Sequence, residues 1–162
     1  MSKCQYVLRP PRPGDLGWLV HRHGALYFQD EGYDPRFEAV VARVVSDFIF
    51  NFDAQKERCW IAERQGKMIG GVLLVKKSPR VAKLRMLLVE PGARGMGLGS
   101  RLVEECIGFA RQAGYRKITL WTHQSLRAAR RIYQRAGFKL VKQKKTHSFG
   151  RKLVDETWEL QL

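Results

Sequence analysis

The chain has 162 residues, of which 44% are apolar and 28% are charged, and this composition excludes a disordered protein. No apolar run approaches the ~18–20 residues that cross a bilayer, and Met1 to Pro13 lacks the apolar stretch of a signal peptide, so we expect a cytoplasmic protein without a membrane partner. The net charge of +15 favours a polyanionic partner, either nucleic acid or a nucleotide cofactor with several phosphates.

Hydrophobic periodicity and turn residues predict helices and strands along the whole chain. In the first half, we expect a strand at Gln5–Arg9, helices at Asp15–Tyr27 and Pro35–Ile49, and strands at Cys59–Arg64, Met68–Lys77 and Ala82–Val89. In the second half, we expect a helix at Leu98–Ala110, a strand at Lys117–Thr122, a helix at Leu126–Ala136, and strands at Lys139–Thr146 and Leu153–Leu160. Strand–helix–strand units imply some parallel pairing, which predicts one α/β domain over residues 1–162 with a mixed sheet.

Local residue choices support two of these boundaries. Asp34 followed by proline is a strong helix start, because an N-cap acceptor precedes a residue that suits the first helical position. Gln65-Gly66 predicts a hairpin turn between two strands. The cysteines are scattered, so we expect reduced thiols rather than a disulfide framework or a metal site at Cys4, Cys59 and Cys106.

The most informative segment is a glycine-rich turn, residues 89–100, between a strand and an amphipathic helix. Its alternate glycines, Gly95, Gly97 and Gly99, let backbone N–H groups turn inward, and the helix start adds unpaired N–H donors and a positive dipole end. Such a turn can bind phosphate oxygens, with Arg94 and Arg101 as cationic contacts. The alternative is a tight helix start without a ligand, which would need neither the arginine nor so many glycines.

Two common phosphate-binding motifs do not fit this turn. A Rossmann fingerprint would use Ser100 as its third small residue and needs an acidic residue about twenty positions further on, which is missing. A P-loop requires Gly-Lys followed by Ser or Thr, whereas Gly97 is followed by Leu98. The turn therefore indicates a different class of phosphate site.

The turn resembles the coenzyme A pyrophosphate signature of the GCN5-related N-acetyltransferase (GNAT) superfamily, Gln/Arg-x-x-Gly-x-Gly/Ala, which Arg94–Gly99 fits. Ala128–Phe138 resembles the second signature of the family, an alanine-rich helix with a tyrosine that ends in Gly-Phe, and Leu8–Pro10 is a typical opening. These segments cover nearly the whole chain in the right order. The chain looks closest to acetyltransferase domains fused behind MarR-type regulators, and because it begins at the first strand we expect no regulator domain in it.

The resemblance implies a GNAT-like fold with about seven strands, about four helices and a V-shaped splay between strands 4 and 5. It also implies direct transfer of an acetyl group from acetyl-CoA to an amine, with coenzyme A as product. A backbone N–H near Leu87 would stabilise the thioester oxyanion, and Tyr133 would protonate the departing thiolate unless it is only a core aromatic. The cofactor would contact Leu87, Leu88, Val89, Arg94, Gly95, Met96, Gly97, Leu98, Gly99, Ser100 and Tyr133.

Two positions depart from the family pattern. The asparagine that many members carry seven residues before the tyrosine is replaced by Leu126, so its pantetheine contact is lost or comes from Gln124 or Ser125. Where relatives place a histidine base on the fourth strand, this chain has Lys83 and Arg85, and neither is a base at neutral pH. The base must come from elsewhere, or water carries the proton.

Three residues are candidates for that base. His123 ends the fifth predicted strand, Glu31 follows the first helix, and His147 lies in the expected loop between the last two strands, which borders the acceptor site in this family. His21 and His23 lie on the first helix, where we expect them to face solvent.

The connection between the first two helices usually forms the substrate lip of this fold. Its aromatic side chains and carboxylates would receive a cationic amine, or it is a solvated loop packed against the sheet. Arg85 could instead bind a substrate carboxylate if its side chain faces the cleft, and strand alternation leaves its face open because a bulge near Leu87 would reset it. The expected substrate contacts are Tyr27, Phe28, Glu31, Tyr33, Arg85 and His147.

The alternative function is a binding module, either a non-catalytic coenzyme A sensor or a basic nucleic-acid partner. The nearest basic run, Lys142–Lys145, is typical of a solvated edge strand, so we do not expect nucleic acid as a partner. Relatives in the family are often dimers, which leaves a homodimer open. The acceptor also stays open between a small amine, an amino acid, an antibiotic and a protein lysine.

Overall fold

The computed structural model describes residues 5–162, so Cys4 lies outside the described part of the chain. The elements follow one another as β1 (Val7–Arg9), α1 (Asp15–Glu31), α2 (Pro35–Phe50), β2 (Arg58–Arg64), β3 (Lys67–Ser78), β4 (Val81–Val89), α3 (Leu98–Gln112), β5 (Lys117–His123), α4 (Arg127–Arg135), β6 (Lys139–Ser148) and β7 (Arg151–Gln161). A single 3₁₀ turn, Pro91–Ala93, lies between β4 and α3.

The strands form one seven-stranded sheet in the order β1-β2-β3-β4-β5-β7-β6. Among the strands of residues 5–162, only β4 and β5 pair in parallel, and the other neighbours are antiparallel. The predicted α/β class is therefore confirmed, with a mixed, mostly antiparallel sheet and four α-helices. The predicted hairpin is confirmed as well, because Gln65 and Gly66 both adopt positive φ, 52° and 76°, as a tight two-residue hairpin requires.

The parallel pairing of β4 and β5 is short. It joins residues 81–84 to residues 117–120 and goes no further, so the second half of β4 has no hydrogen-bonded neighbour on its β5 side. This is the expected splay between strands 4 and 5. It opens a gap in the middle of the sheet.

A β-bulge lies in β4 at the start of this gap. Met86 has a φ of 58°, and the register moves from Leu73 opposite Arg85 to Gly71 opposite Leu88, so Met86 and Leu87 share one position of β3. The bulge resets the alternation of side chains along the strand. Leu84 and Leu87 both pack on the α3 side, whereas Met86 and Leu88 pack on the α1 side.

The first helix is one turn longer than the sequence predicts. It continues past Tyr27 to Glu31, where Gly32 adopts a left-handed φ of 73° and donates its N–H to the Phe28 carbonyl. The predicted connection to the second helix is thereby reduced to residues 32–34. Asp34 caps α2 as expected, since its side chain accepts the Arg36 N–H at 3.0 Å.

Two hydrophobic layers hold the sheet. Helices α3 and α4 cover one face and α1 and α2 cover the other, and the two buried thiols, Cys106 and Cys59, lie one in each layer. Across residues 5–162, no helix is long and apolar enough to span a bilayer, and no three His, Cys, Asp or Glu side chains are grouped to hold a metal ion.

Candidate active site

Backbone conformation shapes the turn between β4 and α3. Gly95 and Gly97 adopt left-handed φ values of 82° and 76°, and Gly97 is the N-cap of α3. No side chain caps this helix start, so its first N–H groups have no capping acceptor. Together with the positive end of the helix dipole, they form a surface that suits a phosphate oxygen.

Gly99 lets two helices meet at this turn. A Cβ atom at Gly99 would lie 2.6 Å from Cδ1 of Ile132 on α4, which is closer than carbon atoms pack. The absence of a side chain therefore brings α4 against the first turn of α3. The two helix starts form opposite walls of one cleft.

The cleft contains a cavity of about 490 Å³ between β4, the glycine turn and the start of α4. All the predicted cofactor residues line it except Met96 and Tyr133. Leu126, Arg127 and Ala129 form the α4 wall, and Tyr27 and Glu31 of α1 close the remaining side. The cavity is open, mostly apolar along β4 and polar at the turn, as a long ligand with a phosphate end requires.

Met96 turns away from the cavity and supports the turn from behind. It packs against the hydrophobic layer under α3, with its sulfur 4.0 Å from Nη1 of Arg64. Arg94 does line the cavity, and it also forms an exposed ion pair with Asp30 of α1 at 3.5 Å. This pair connects the glycine turn to the end of the first helix.

A second, smaller cavity of about 90 Å³ adjoins the first on the α1–α2 side of the splay. Tyr27, Leu87, Leu126 and Ala129 line both cavities, so the two meet at these side chains. We call this smaller space the acceptor cavity. Of the other predicted site residues, Arg85, His123 and Tyr133 also line it.

Tyr133 projects from α4 into the acceptor cavity and is 5% exposed. Burial raises its pKa far above the usual range, and the nearby Tyr27 and Cys106 act in the same direction. The phenol is therefore protonated at neutral pH. Its position beside Leu87 is compatible with the donation of a proton at the junction of the two cavities.

His123 is buried in the wall of the acceptor cavity. Its Nδ1 lies 2.7 Å from the Tyr33 hydroxyl, and its Nε2 lies 3.3 Å from Oδ1 of Asp155. The second pair is within ion-pair distance but lacks hydrogen-bond geometry, and Nε2 is the one buried side-chain polar atom in residues 5–162 without a hydrogen-bond partner. Burial lowers the pKa of His123 although Asp155 and Glu156 oppose the shift, so the ring is neutral at pH 7.

His23 does not face solvent, and that expectation was wrong. It is buried at 2% exposure on the inner face of α1, lines the acceptor cavity, and has Nδ1 2.8 Å from the Leu19 carbonyl oxygen. Burial lowers its pKa to about 4. Its spacing from Leu16, Leu19 and Leu26 is that of one helical face, which is the sequence signal that identifies it.

Glu31 and His147 lie together in a third cavity, of about 750 Å³, between the start of α4 and the β6–β7 hairpin. His147 lies within β6, not in a loop as predicted, because the strand continues to Ser148 before the turn. The cations Arg127, Arg130 and Arg151 line this cavity, and Arg151 donates to the Glu31 carbonyl oxygen at 2.6 Å. Neither Glu31 nor His147 lines the acceptor cavity.

The lip residues separate in the structure. Tyr27 lines both the cofactor cleft and the acceptor cavity, whereas Phe28 is 67% exposed on the outer face of α1. Tyr33 is buried behind the acceptor cavity wall and contacts it through His123. The sequence did not single out Lys83 as a binding residue, yet it lines the acceptor cavity beside Arg85.

The model of the acetyltransferase (GNAT) family matches residues 23–138, which include the glycine turn, the splayed strands and α4, and the chain belongs to this family. Among curated relatives, N-acetyltransferase 8B of Homo sapiens is 31% identical over 138 residues, which are 81% of this chain and 60% of that protein. The chain spans about half the length of the curated relatives it matches.

Solved structures share the fold over nearly the whole chain. A GNAT family acetyltransferase from Elizabethkingia anophelis with acetyl-CoA bound superposes with a TM-score of 0.68 at 17% identity, covering 99% of this chain and 100% of that one. Spermidine N-acetyltransferase from Vibrio cholerae, in complex with CoA and spermine, gives a TM-score of 0.71 at 21% identity, covering 98% and 96%.

Proposed function

We propose that the protein transfers the acetyl group of acetyl-CoA directly to a primary amine of a small molecule, peptide or protein, and releases coenzyme A. The observation that carries this proposal is the meeting of two cavities at Leu87, with Tyr133 in the wall of the smaller one. One cavity has an anion-binding turn at its far end, and the other is small, with apolar walls and a few polar side chains. Such a pair places a thioester and an amine side by side.

The cofactor would occupy the 490 Å³ cleft. Its pyrophosphate would accept hydrogen bonds from the N–H groups of residues 95–100, with Arg94 beside them. Its pantetheine arm would lie along Leu87–Val89, where β4 has a free edge beyond its pairing with β5. The acetyl-CoA in the Elizabethkingia anophelis structure supports this assignment.

Leu126 replaces the usual asparagine and lines both cavities. Its side chain offers an apolar contact but no hydrogen bond. Ser125, which also lines the cofactor cleft, would supply the polar contact to the pantetheine amide. It is one of the two residues, with Gln124, that the sequence offers for this contact.

The reaction is a single displacement. The amine nitrogen attacks the thioester carbonyl carbon, a C–N bond forms, and the C–S bond breaks. The bulge leaves Leu87 without a partner residue in the β3–β4 register, which supports its backbone N–H as the donor to the oxyanion. Tyr133 gives its proton to the departing thiolate, and the proton that the amine loses restores the phenol through a base or water.

His123 and Glu31 stay predictions for the base. His123 lines the acceptor cavity, whereas Glu31 lines the cofactor cleft and the third cavity, so His123 is the nearer of the two to the attacking amine. Its neutral ring at pH 7 suits the role. A base needs an unprotonated ring nitrogen. In the tautomer with a free lone pair on Nε2, that lone pair would be repelled by the Asp155 carboxylate. Water is therefore the second route for removal of the amine proton.

Several expectations stay predictions: one domain over residues 1–162, a cytoplasmic location, a homodimer, the likeness to MarR-fused domains, and lip contacts from Tyr27, Phe28, Tyr33 and His147.

The sensor alternative predicts cofactor binding without turnover. The experiment that separates it from the enzyme is acetyl-CoA-dependent thiol release over a panel of amines, amino acids, polyamines and lysine peptides. Release with one acceptor class supports the proposal, and tight acetyl-CoA binding without release from any class contradicts it.

A further inference from the structure

Building on the proposed function, we infer that the acceptor is an amine that carries a carboxylate or another anionic group near its amino nitrogen, bound by Lys83 and Arg85. The substrate class would then be amino-acid-like rather than polyamine-like. The inference depends on the placement, charge and surroundings of these two side chains.

The alternation of side chains along β4 explains why both cations face the acceptor cavity. Lys83 and Arg85 alternate with Ala82 and Leu84, which pack into the layer under α3, so they project to the opposite face. That face is the α1–α2 side of the splay, where both residues line the cavity with Val41 and Trp121. Beyond the bulge, Leu87 returns to the cofactor side.

Neither cation has an ion-pair or hydrogen-bond partner among residues 5–162. No carboxylate lines the acceptor cavity. Carboxylates outside the cavity act electrostatically on this wall: Asp47 on Arg85, Asp155 and Glu156 on His123, and Glu31 and Asp30 on Tyr27. Two partly buried cations without a bound anion are costly for the fold, and an anionic ligand would offset this cost.

Burial perturbs both cations. Burial, the neighbouring Arg85 and Lys77 lower the pKa of Lys83, and burial lowers the pKa of Arg85 although Asp47 opposes the shift. The histidines of the cavity, His23 and His123, are neutral at pH 7 because burial lowers the pKa of each. The positive charge of the wall therefore comes from β4 alone.

His123 adds a polar atom to the same wall. Its Nε2 has no hydrogen-bond partner. This nitrogen is enclosed and lies 3.3 Å from Oδ1 of Asp155, so His123 contributes a neutral polar ring to the wall, and the two cations alone would bind the anion.

The size of the cavity limits the group it accepts. A volume of about 90 Å³ is that of a small group. This suits the amino and carboxylate ends of a small amino acid. It does not suit a long polyamine, whose second and third ammonium groups would also meet Lys83 and Arg85 and be repelled. The acceptor class inferred for this chain therefore differs from the spermine that is bound in the Vibrio cholerae structure.

Calorimetric titration of the coenzyme A-loaded protein tests the inference without turnover. The ligands are glycine, alanine, taurine and 2-aminoethylphosphonate, each compared with a counterpart that lacks the anionic group (glycinamide, alaninamide, ethanolamine) and with spermidine. We expect at least about tenfold tighter binding of the anionic amines, which corresponds to ~1.4 kcal/mol. Equal or tighter binding of neutral or cationic amines, or no binding of any anionic amine, overturns the inference.

Variants assign the effect to the two cations. Lys83→Gln and Arg85→Gln should each reduce the preference for the anionic amine, while Arg85→Lys should retain most of it. Lys142→Gln on the exposed strand β6 is the matched control and should change nothing. Unchanged preference in both glutamine variants overturns the inference. Failure of the proposed function would appear separately, as loss of acetyl-CoA binding or of thiol release with every acceptor.

Discussion

The Tyr33 hydroxyl lies 2.7 Å from Nδ1 of His123, and this contact fastens the short connection after α1 to the end of β5. Tyr33 is 2% exposed and also packs against Phe37 and Phe149. The pair therefore fixes one wall of the acceptor cavity from behind. Any movement of α1 and α2 over the sheet would be transmitted to His123.

Substitution of Tyr33 by Phe should raise the KM for the acceptor amine and leave acetyl-CoA binding unchanged. The loss of one buried hydrogen bond should cost about 1 kcal/mol of unfolding free energy. Tyr115→Phe is the control, because its hydroxyl donates to the Lys56 carbonyl at 2.7 Å, outside both cavities. It should lose similar stability in urea titrations without any change in acceptor KM. Equal acceptor kinetics in the two variants would show that the Tyr33–His123 contact does not shape the site.

Substitution of Tyr133 by Phe should lower kcat by a factor of about 10²–10⁴, the usual contribution of a general acid. Acetyl-CoA affinity should stay within about twofold, because the phenol lines the acceptor cavity rather than the cofactor cleft. Steady-state kinetics and calorimetry measure the two quantities. A kcat within about threefold of the wild-type value would contradict the role as general acid, because the loss of a hydroxyl that only packs in the hydrophobic layer should change kcat by no more than that.

Two glycines of the same helix region should respond to alanine with opposite signs. Gly97 has a left-handed φ of 76°, so Gly97→Ala should destabilise the protein by about 1–2 kcal/mol and weaken acetyl-CoA binding. Gly108 lies in the interior of α3 with open space around it, and Gly108→Ala should stabilise by about 0.5–1 kcal/mol without affecting the cofactor. Thermal unfolding and cofactor titration give both results. Retained acetyl-CoA affinity in Gly97→Ala would argue against the turn as the phosphate site.

Acidification should destabilise the protein through His23. Burial lowers the pKa of His23 from 6.5 to about 4, so the unfolded chain binds a proton in a range where the folded protein does not. The stability this residue contributes is complete above about pH 6.5 and is lost as the pH falls from there to about pH 4, up to about 3 kcal/mol. In His23→Phe this part of the loss should vanish in urea titrations across that range. Parallel pH profiles for the two proteins would contradict the assignment.

Much of the fold could be predicted from local sequence signals. Glycines past helix ends, the Asp34-Pro35 helix start and the Gln65-Gly66 turn each act through backbone conformation, which depends on neighbouring residues. The glycine turn before α3 could be predicted for the same reason, because its conformation is also set by local residues. The sequence predicts α1 one turn too short, because its last turn is polar and does not continue the apolar periodicity. Gly32, which ends the helix in the structure, is the local signal that marks the true end.

The acceptor cavity could be predicted only in part. Nothing in the local sequence shows that Met86 adopts a positive φ, and this one residue decides that Arg85 and Leu87 face opposite sides of the sheet. The burial of His23, the contact between Tyr33 and His123, and the separation of Glu31 from the acceptor cavity all depend on packing between distant segments. The backbone N–H near Leu87 was expected as the oxyanion donor only because of the family resemblance. Lys83 was identified as a residue of the acceptor cavity only from the structure.

The central claim is that the chain catalyses acetyl transfer to an amine, and mass spectrometry of the acceptor tests it most directly. The protein would be incubated with acetyl-CoA labelled with carbon-13 in the acetyl group and with the panel of amines. We predict one labelled acetyl group on the nitrogen of an acceptor, formed together with free coenzyme A and strongly reduced in Tyr133→Phe. Coenzyme A release without a labelled acceptor, or tight acetyl-CoA binding with neither product, would contradict the account.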